Sequence, residues 1–110
     1  MPEVKTMTIE RAVQNMASGD WQVRRGSEDE FIARWTEFLE WTKASAAGFL
    51  GARLIRDTEQ PTHFVSFAEW ESGAARQSWR RLPEFASKMG ACRALCEGMK
   101  GGDYDVAVVV

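Results

Sequence analysis

Few side chains in this 110-residue sequence can do acid–base, nucleophilic or metal chemistry. His63 is the single histidine and the only side chain that ordinarily titrates near neutrality, which makes it a candidate general base or haem ligand. It follows Pro61 at a turn-rich segment, where a solvated or interface histidine is the competing expectation. Arg53 is a lone cation in the apolar run Phe49-Leu50-Gly51-Ala52-Arg53-Leu54-Ile55. It could hold an enolate or a carboxylate, or form a salt bridge on an edge strand. Asn15 could bind a carbonyl oxygen. Cys92 and Cys96 lie four apart, poor geometry for a disulfide within one helical turn. With His63 they would supply fewer ligands than a structural zinc normally takes, so no metal site is expected. Both read as small buried apolar groups in a reducing cytoplasm. Trp35 and Trp70 could each wall a ligand pocket or simply fill the core.

These residues need a scaffold, and length allows one domain, residues 1–110, with a single core. With 45% hydrophobic and 27% charged residues the chain is globular in composition. A net charge of −2 gives no electrostatic footprint for nucleic acid or an anionic membrane. No apolar run is long enough to span a bilayer, and Met1-Pro2-Glu3-Val4-Lys5 does not open a secretory signal. The expected location is cytoplasmic.

Residues 1–15 lack a clear period and read as an extension. A first strand is expected around Ala17 to Arg25, with Trp21 and Val23 on one face. Ser27 followed by Glu30 is a capping box that starts a helix, and Phe31, Trp35, Phe38, Leu39 and Thr42 form its inward stripe up to Gly48. Phe49–Asp57 and Thr62–Trp70 read as a hairpin about Thr58-Glu59-Gln60-Pro61. Ser72 can cap a short helix with Ala75, Trp79 and Leu82 inward, and Pro83 can open another. That second piece is expected to carry Phe85, Met89, Cys92, Leu95, Cys96 and Met99 on one face, with Gly101-Gly102 as its stop. Tyr104–Val110 is the expected last strand.

The order is βαββαβ, the ferredoxin-like α+β plan, with both helical segments on one face of a four-stranded antiparallel sheet. The other face has no cover within the chain, yet its strands do not alternate cleanly with polar residues. Val65 and Phe67 oppose Phe64, Ala68 and Trp70, and Tyr104, Val106, Val108 and Val110 share a face. An apolar patch of that extent predicts a homodimer with its sheets face to face.

Several segments carry a family likeness. They are Arg25-Gly26-Ser27-Glu28-Asp29-Glu30-Phe31, Gly48-Phe49-Leu50-Gly51-Ala52, Phe64-Val65-Ser66-Phe67-Ala68-Glu69-Trp70-Glu71-Ser72, Trp79 and Pro83-Glu84-Phe85. From Ser27 onward the chain resembles the antibiotic biosynthesis monooxygenase family of dimeric α/β-barrel proteins. The resemblance implies a pocket between sheet and helices with Trp70 pointing into it, and an aromatic ligand. In cofactor-free oxygenases of this type a deprotonated phenol or anthrone reduces dioxygen itself, and the protein binds, dries and orients it and stabilises an oxyanion. Ring-oxygenating relatives commonly carry an amide four positions before the tryptophan, where this chain has Ser66. Haem-degrading relatives use a first-strand asparagine and a last-helix histidine. Here the counterparts are a position near Gly19, and Met89, four after Phe85.

The expected catalytic set is therefore Trp70, Ser66 and His63, and the expected substrate-binding set Trp35, Phe64, Phe67, Met89 and Arg53. The leading reading is a monooxygenase acting without an added cofactor on a hydrophobic, polyketide-type aromatic molecule. The alternatives are a haem-binding or haem-degrading protein and a non-catalytic, small-molecule-binding dimer. RNA-recognition domains share the plan, but their strand motif needs basic, glycine, aromatic and small residues before Phe64. Gln60, Pro61, Thr62 and His63 stand there instead, which excludes nucleic acid as the partner.

Overall fold

The first strand of the described residues, β1 (Asn15–Val23), sets the pattern for the molecule. Ala17, Gly19, Trp21 and Val23 are buried on one face while Asp20 and Gln22 are exposed on the other, the period of two that a one-sided sheet imposes. The computed structural model describes residues 15–110, so the expected N-terminal extension lies, apart from Asn15, outside the described residues. β1 stops two residues before its expected end because Arg24 to Ser27 turn back, with Ser27 N–H donating to the Arg24 carbonyl and Gly26 at φ +93°.

Helix α1 (Glu28–Ser45) follows, with Phe31, Trp35, Phe38 and Thr42 buried and Leu39 partly so. Its start is where the sequence places it, but the capping box does not form. Ser27 sits at ψ 8°, outside the extended region a capping serine needs, and its hydroxyl caps nothing. The Glu28 carboxylate takes the Gly26 N–H instead. Glu28, Asp29 and Glu30 also place negative charge at the positive end of the helix dipole.

Strands β2 (Phe49–Arg56) and β3 (His63–Trp70) form the expected hairpin. Its loop is held by Asp57, whose Oδ1 accepts from Glu59 N at 2.8 Å and Gln60 N at 3.1 Å. Helix α2 (Gly73–Arg80) is capped by Ser72, which accepts from Ala75 N at 3.1 Å. Pro83 separates α2 from α3 (Phe85–Arg93).

The C-terminal third corrects the sequence reading. The last helix was expected to run through Leu95, Cys96 and Met99 to the Gly101-Gly102 stop, but it ends at Arg93, and Cys96–Asp105 is strand β4. Gly98, Gly101 and Gly102 are weak helix formers, and β1 offers this segment a full ladder from Val23–Cys96 to Asn15–Asp105. The expected strand Tyr104–Val110 keeps only its first two residues. Val106–Val110 has no regular structure, and Val108 and Val109 are exposed.

The sheet order is β2-β3-β1-β4, antiparallel throughout. This is the ferredoxin-like α+β plan, with the helices packed on the face that carries Trp21, Phe64, Ser66, Ala68 and Trp70. On the opposite face β4 contributes Gly98, Lys100, Gly102 and Tyr104, opposite Gln22, Asp20, Ser18 and Met16. That face is therefore less apolar than the valine-rich strand predicted.

Candidate functional site

Between the sheet and its helices lies a cavity of about 510 Å³. Sequence makes the space directly. Gly19 of β1 stands opposite Gly101 of β4, so two adjacent strands present no side chain at the same level of the floor. Ser66 and Ala68 of β3 continue that floor with small groups. The walls are aromatic and sulfur-bearing: Trp21, Trp35, Phe38, Trp79, Phe85 and Met89. Their rings touch in series, with centroids 5.2 Å apart for Trp21–Trp35 and Trp35–Phe38, 5.6 Å for Phe38–Trp79 and 4.7 Å for Trp79–Phe85. Tilted and edge-on contacts of this kind fix ring orientation beyond what area burial alone does.

Polar groups are few and specifically placed. Trp21 Nε1–H donates to Ser66 Oγ at 3.0 Å on the floor. On the wall Trp79 Nε1–H donates to Thr42 Oγ1 at 3.1 Å, and the Thr42 hydroxyl in turn donates to the Phe38 carbonyl at 2.8 Å. Trp35 Nε1 is buried with no partner among the described residues. At the rim Arg80 grips Asp103 through both terminal nitrogens, one at 2.7 Å, and Arg76 Nε lies 3.5 Å from the same carboxylate. The Arg80 hydrogen bond holds the Asp103 carboxyl below the usual range. Arg93 completes the rim.

Of the residues singled out in the sequence, Ser66, Trp35 and Met89 meet at this cavity. Trp70 does not line it. Its ring is fully buried behind Trp79, with centroids 4.8 Å apart, and against Phe49 at 5.4 Å, and its Nε1 has no partner among the described residues. Phe64 is likewise core, 5.2 Å from Phe31 with the Arg56 guanidinium 5.0 Å from its ring. Arg53 and Phe67 pair across the strands on the opposite face of the sheet, because each is one residue out of phase with Ser66 and Ala68.

His63 faces that side too. Its Nδ1 is 2.9 Å from Asp57 and its Nε2 3.0 Å from Asp20. The two carboxylates, Asp57 first, push the imidazole above its ordinary value, and the same hydrogen bond carries Asp57 down to about 2. A cation clamped at both nitrogens is a poor general base. Asn15 is engaged by Arg76 at 2.8 Å. Cys92 and Cys96 fall on different elements, and burial pushes the Cys92 thiol up to about 12. Among the described residues no group of three metal-ligating side chains forms.

Sequence reasoning did not single out Gly19, Gly101, Trp21 and Thr42 as site residues. The available signal was Gly19-x-Trp21 in a strand, which places a missing side chain beside a large one on the same face. Gly101 was hidden by its reading as a helix stop.

A ferredoxin-like domain whose helices and sheet enclose an aromatic-walled cavity is thus what the fold and site define. The chain belongs to the antibiotic biosynthesis monooxygenase family, whose family model matches residues 16–88. Among solved structures it is similar to SnoaB, a cofactor-independent oxygenase from Streptomyces nogalater. The likeness is 20% identity and a TM-score of 0.80 over 89% of this chain and 97% of that one. An alanine variant of the same oxygenase superposes with a TM-score of 0.81 at 21% identity, over 88% and 96% of the two chains. A conserved protein from Methanosarcina mazei gives a TM-score of 0.76 at 13% identity, over 88% of this chain and 96% of that one. No protein of curated function matches the chain.

Proposed function

We propose that the protein is a monooxygenase that oxygenates a hydrophobic, electron-rich aromatic molecule of the polyketide type without an added cofactor. The cavity carries this reading: its volume of about 510 Å³ suits a small fused-ring molecule, and its wall is aromatic with one hydroxyl on the floor. Family membership supports a monooxygenase-type activity, and SnoaB, which shares the fold, is described as a cofactor-independent oxygenase. In such a reaction the ionised ring supplies the electrons that dioxygen needs. A methylene carbon of the substrate becomes a carbonyl, one oxygen atom stays in the product and the other leaves as water. The protein then has to exclude water, hold the ring flat against Trp35 and Trp79, and stabilise charge on the substrate oxygen, which the Ser66 hydroxyl can do.

The haem alternative finds no support in the site residues. The chain's only histidine has both ring nitrogens on carboxylates and faces away from the cavity, and Met89 occupies the helix position. The protein is further proposed to work as a homodimer through its open sheet face, where Val65, Phe67 and Ile55 are only partly covered or exposed. Two free thiols agree with a reducing, cytoplasmic setting.

Oxygen uptake with a panel of hydroxylated anthrones tests the activity. Wild-type protein should consume oxygen without added metal, flavin or haem. Ser66→Ala should slow it substantially, toward the roughly 10²–10³-fold typical of losing one oxyanion donor. Tryptophan quenching without uptake would leave a non-catalytic small-molecule-binding protein as the better reading.

A further inference from the structure

We propose that Trp21 is a positioning residue of this cavity. Its indole N–H holds the Ser66 oxygen as an acceptor, so the serine proton is left for an acceptor oxygen of an aromatic ligand, a phenolate or a quinone-type carbonyl. This rests on the cavity being an aromatic-ligand site. It adds the direction in which the polar contact runs and the residues that enforce it.

An indole nitrogen can only donate a hydrogen bond. At 3.0 Å from Ser66 Oγ, Trp21 Nε1 therefore occupies a lone pair of the hydroxyl and can never take its proton. Among the described residues no protein oxygen accepts that proton either. Ser66 lines the cavity and is 4% exposed, so the cavity is the outlet that remains. Accepting one hydrogen bond also polarises the O–H and makes it a better donor. The second indole–hydroxyl pair in the same cavity shows the difference. Trp79 donates to Thr42 in the same sense, but Thr42 spends its proton on the Phe38 carbonyl and has none to offer.

The arrangement is enforced from both sides of the Trp21 ring. Phe31 and Trp35 lie 5.4 and 5.2 Å from it, centroid to centroid, and the side chain is completely buried. Beneath it only glycine fits. A β-carbon at position 19 would stand 2.5 Å from Trp21 Nε1 and 2.9 Å from Ser66 Oγ, too close to both partners for the hydrogen bond to keep its geometry. Gly19 is therefore needed for the contact as well as for the cavity volume.

The test uses a monohydroxyanthraquinone, whose phenol and phenolate absorb at different visible wavelengths, with tryptophan quenching as an independent report of binding. On wild-type protein the bound phenol should ionise about one pH unit lower than the free dye, a tenfold gain in ionisation. Ser66→Ala should abolish that shift while quenching persists. Trp21→Phe should lose most of it, and adding Trp21→Phe to Ser66→Ala should cost nothing more. Gly19→Ala keeps both partners but displaces the indole, and should behave like Trp21→Phe; it carries the test if Trp21→Phe does not fold by circular dichroism. A wild-type shift retained in both Trp21→Phe and Gly19→Ala overturns the positioning role, as does one retained in Ser66→Ala. Failure of the dye to quench wild-type tryptophan overturns the ligand-site reading, and the inference with it, and quenching distinguishes the two failures.

Discussion

The two faces of the sheet are built from the same strands and differ in almost every physical respect. On the covered face Gly19, Trp21, Ser66 and Ala68 meet three helices, and inside the cavity two hydroxyls each accept from an indole. On the open face Asp20, His63, Arg53, Phe67 and Lys100 stand out of phase with that set, and there His63 bridges the Asp20 and Asp57 carboxylates. Ser66 and Phe67 are neighbours in sequence, yet their side chains point into different environments. A strand motif read as a single functional string therefore mixes two surfaces, one suited to an apolar ligand and one suited to a second protein surface.

The covered face should be the one that holds the fold together. Trp35→Ala removes a buried indole that touches Trp21, Phe31 and Phe38. It should lower unfolding free energy by about 3–5 kcal/mol in chemical denaturation. Phe67→Ala on the open face should cost clearly less at the same protein concentration. Equal losses would mean that the open face is core by another route.

Association sharpens the same contrast. Phe67→Asp puts a charge among Val65, Ile55 and their surroundings, where a buried interface would leave it unpaired. By light scattering the wild type should exceed the 12.4 kDa of one chain at micromolar concentration, and the variant should return to it. A wild type that already scatters as one chain removes the dimer.

A smaller effect is expected at Trp70, which sits behind the cavity wall. Trp70→Phe deletes a buried N–H that has no partner among the described residues, offsetting part of the packing lost with the smaller ring. Melting temperature and oxygen uptake should both stay close to wild type. A large fall in uptake with an unchanged melting temperature would extend the site to Trp70.

Much of this was legible in the sequence, and the misreadings have physical causes. The helical stripe of α1 and the hairpin of β2 and β3 stood out because each has one strong period and a clear turn. Trp35 and Ser66 were placed near a ligand because they belong to those elements, and Met89 because the family likeness sets it four residues after Phe85. The C-terminal third was ambiguous. Cys92, Leu95, Cys96 and Met99 keep helical spacing, but Met99, Gly101 and Asp103 also keep strand spacing. The long-range ladder to β1 decided between them, and no local pattern reveals such a ladder. Arg53 and His63 were attached to the site by residue type, whereas their face depends on register, which a one-residue slip reverses; Phe67 was attached although period-two alternation already set it opposite Trp70.

The subtlest expected difference between the faces is in their response to pH. His63 is raised above its ordinary 6.5 by hydrogen bonds to Asp57 and then Asp20, with Lys100 beside Asp20 across the β1–β4 ladder. A raised imidazole contributes stability that is complete below about 6.5 and is lost as pH rises through its folded value. Asp57, lowered from 3.8 to about 2, contributes stability that is complete above 3.8 and is lost as pH falls toward 2. The cluster is therefore at full strength between about pH 4 and 6.5 and weakens on either side. All three groups are partly solvated, so the effect on melting temperature should be modest and reduced by salt. His63→Gln should lower the melting temperature inside that window, and the gap to wild type should close as the medium becomes alkaline. Because His63 lies on the far side of the sheet, the pH–rate profile of oxygen uptake should be the same for both proteins wherever both are folded. Loss of a limb of that profile in His63→Gln would make the histidine a base for the reaction and end the separation of the two faces.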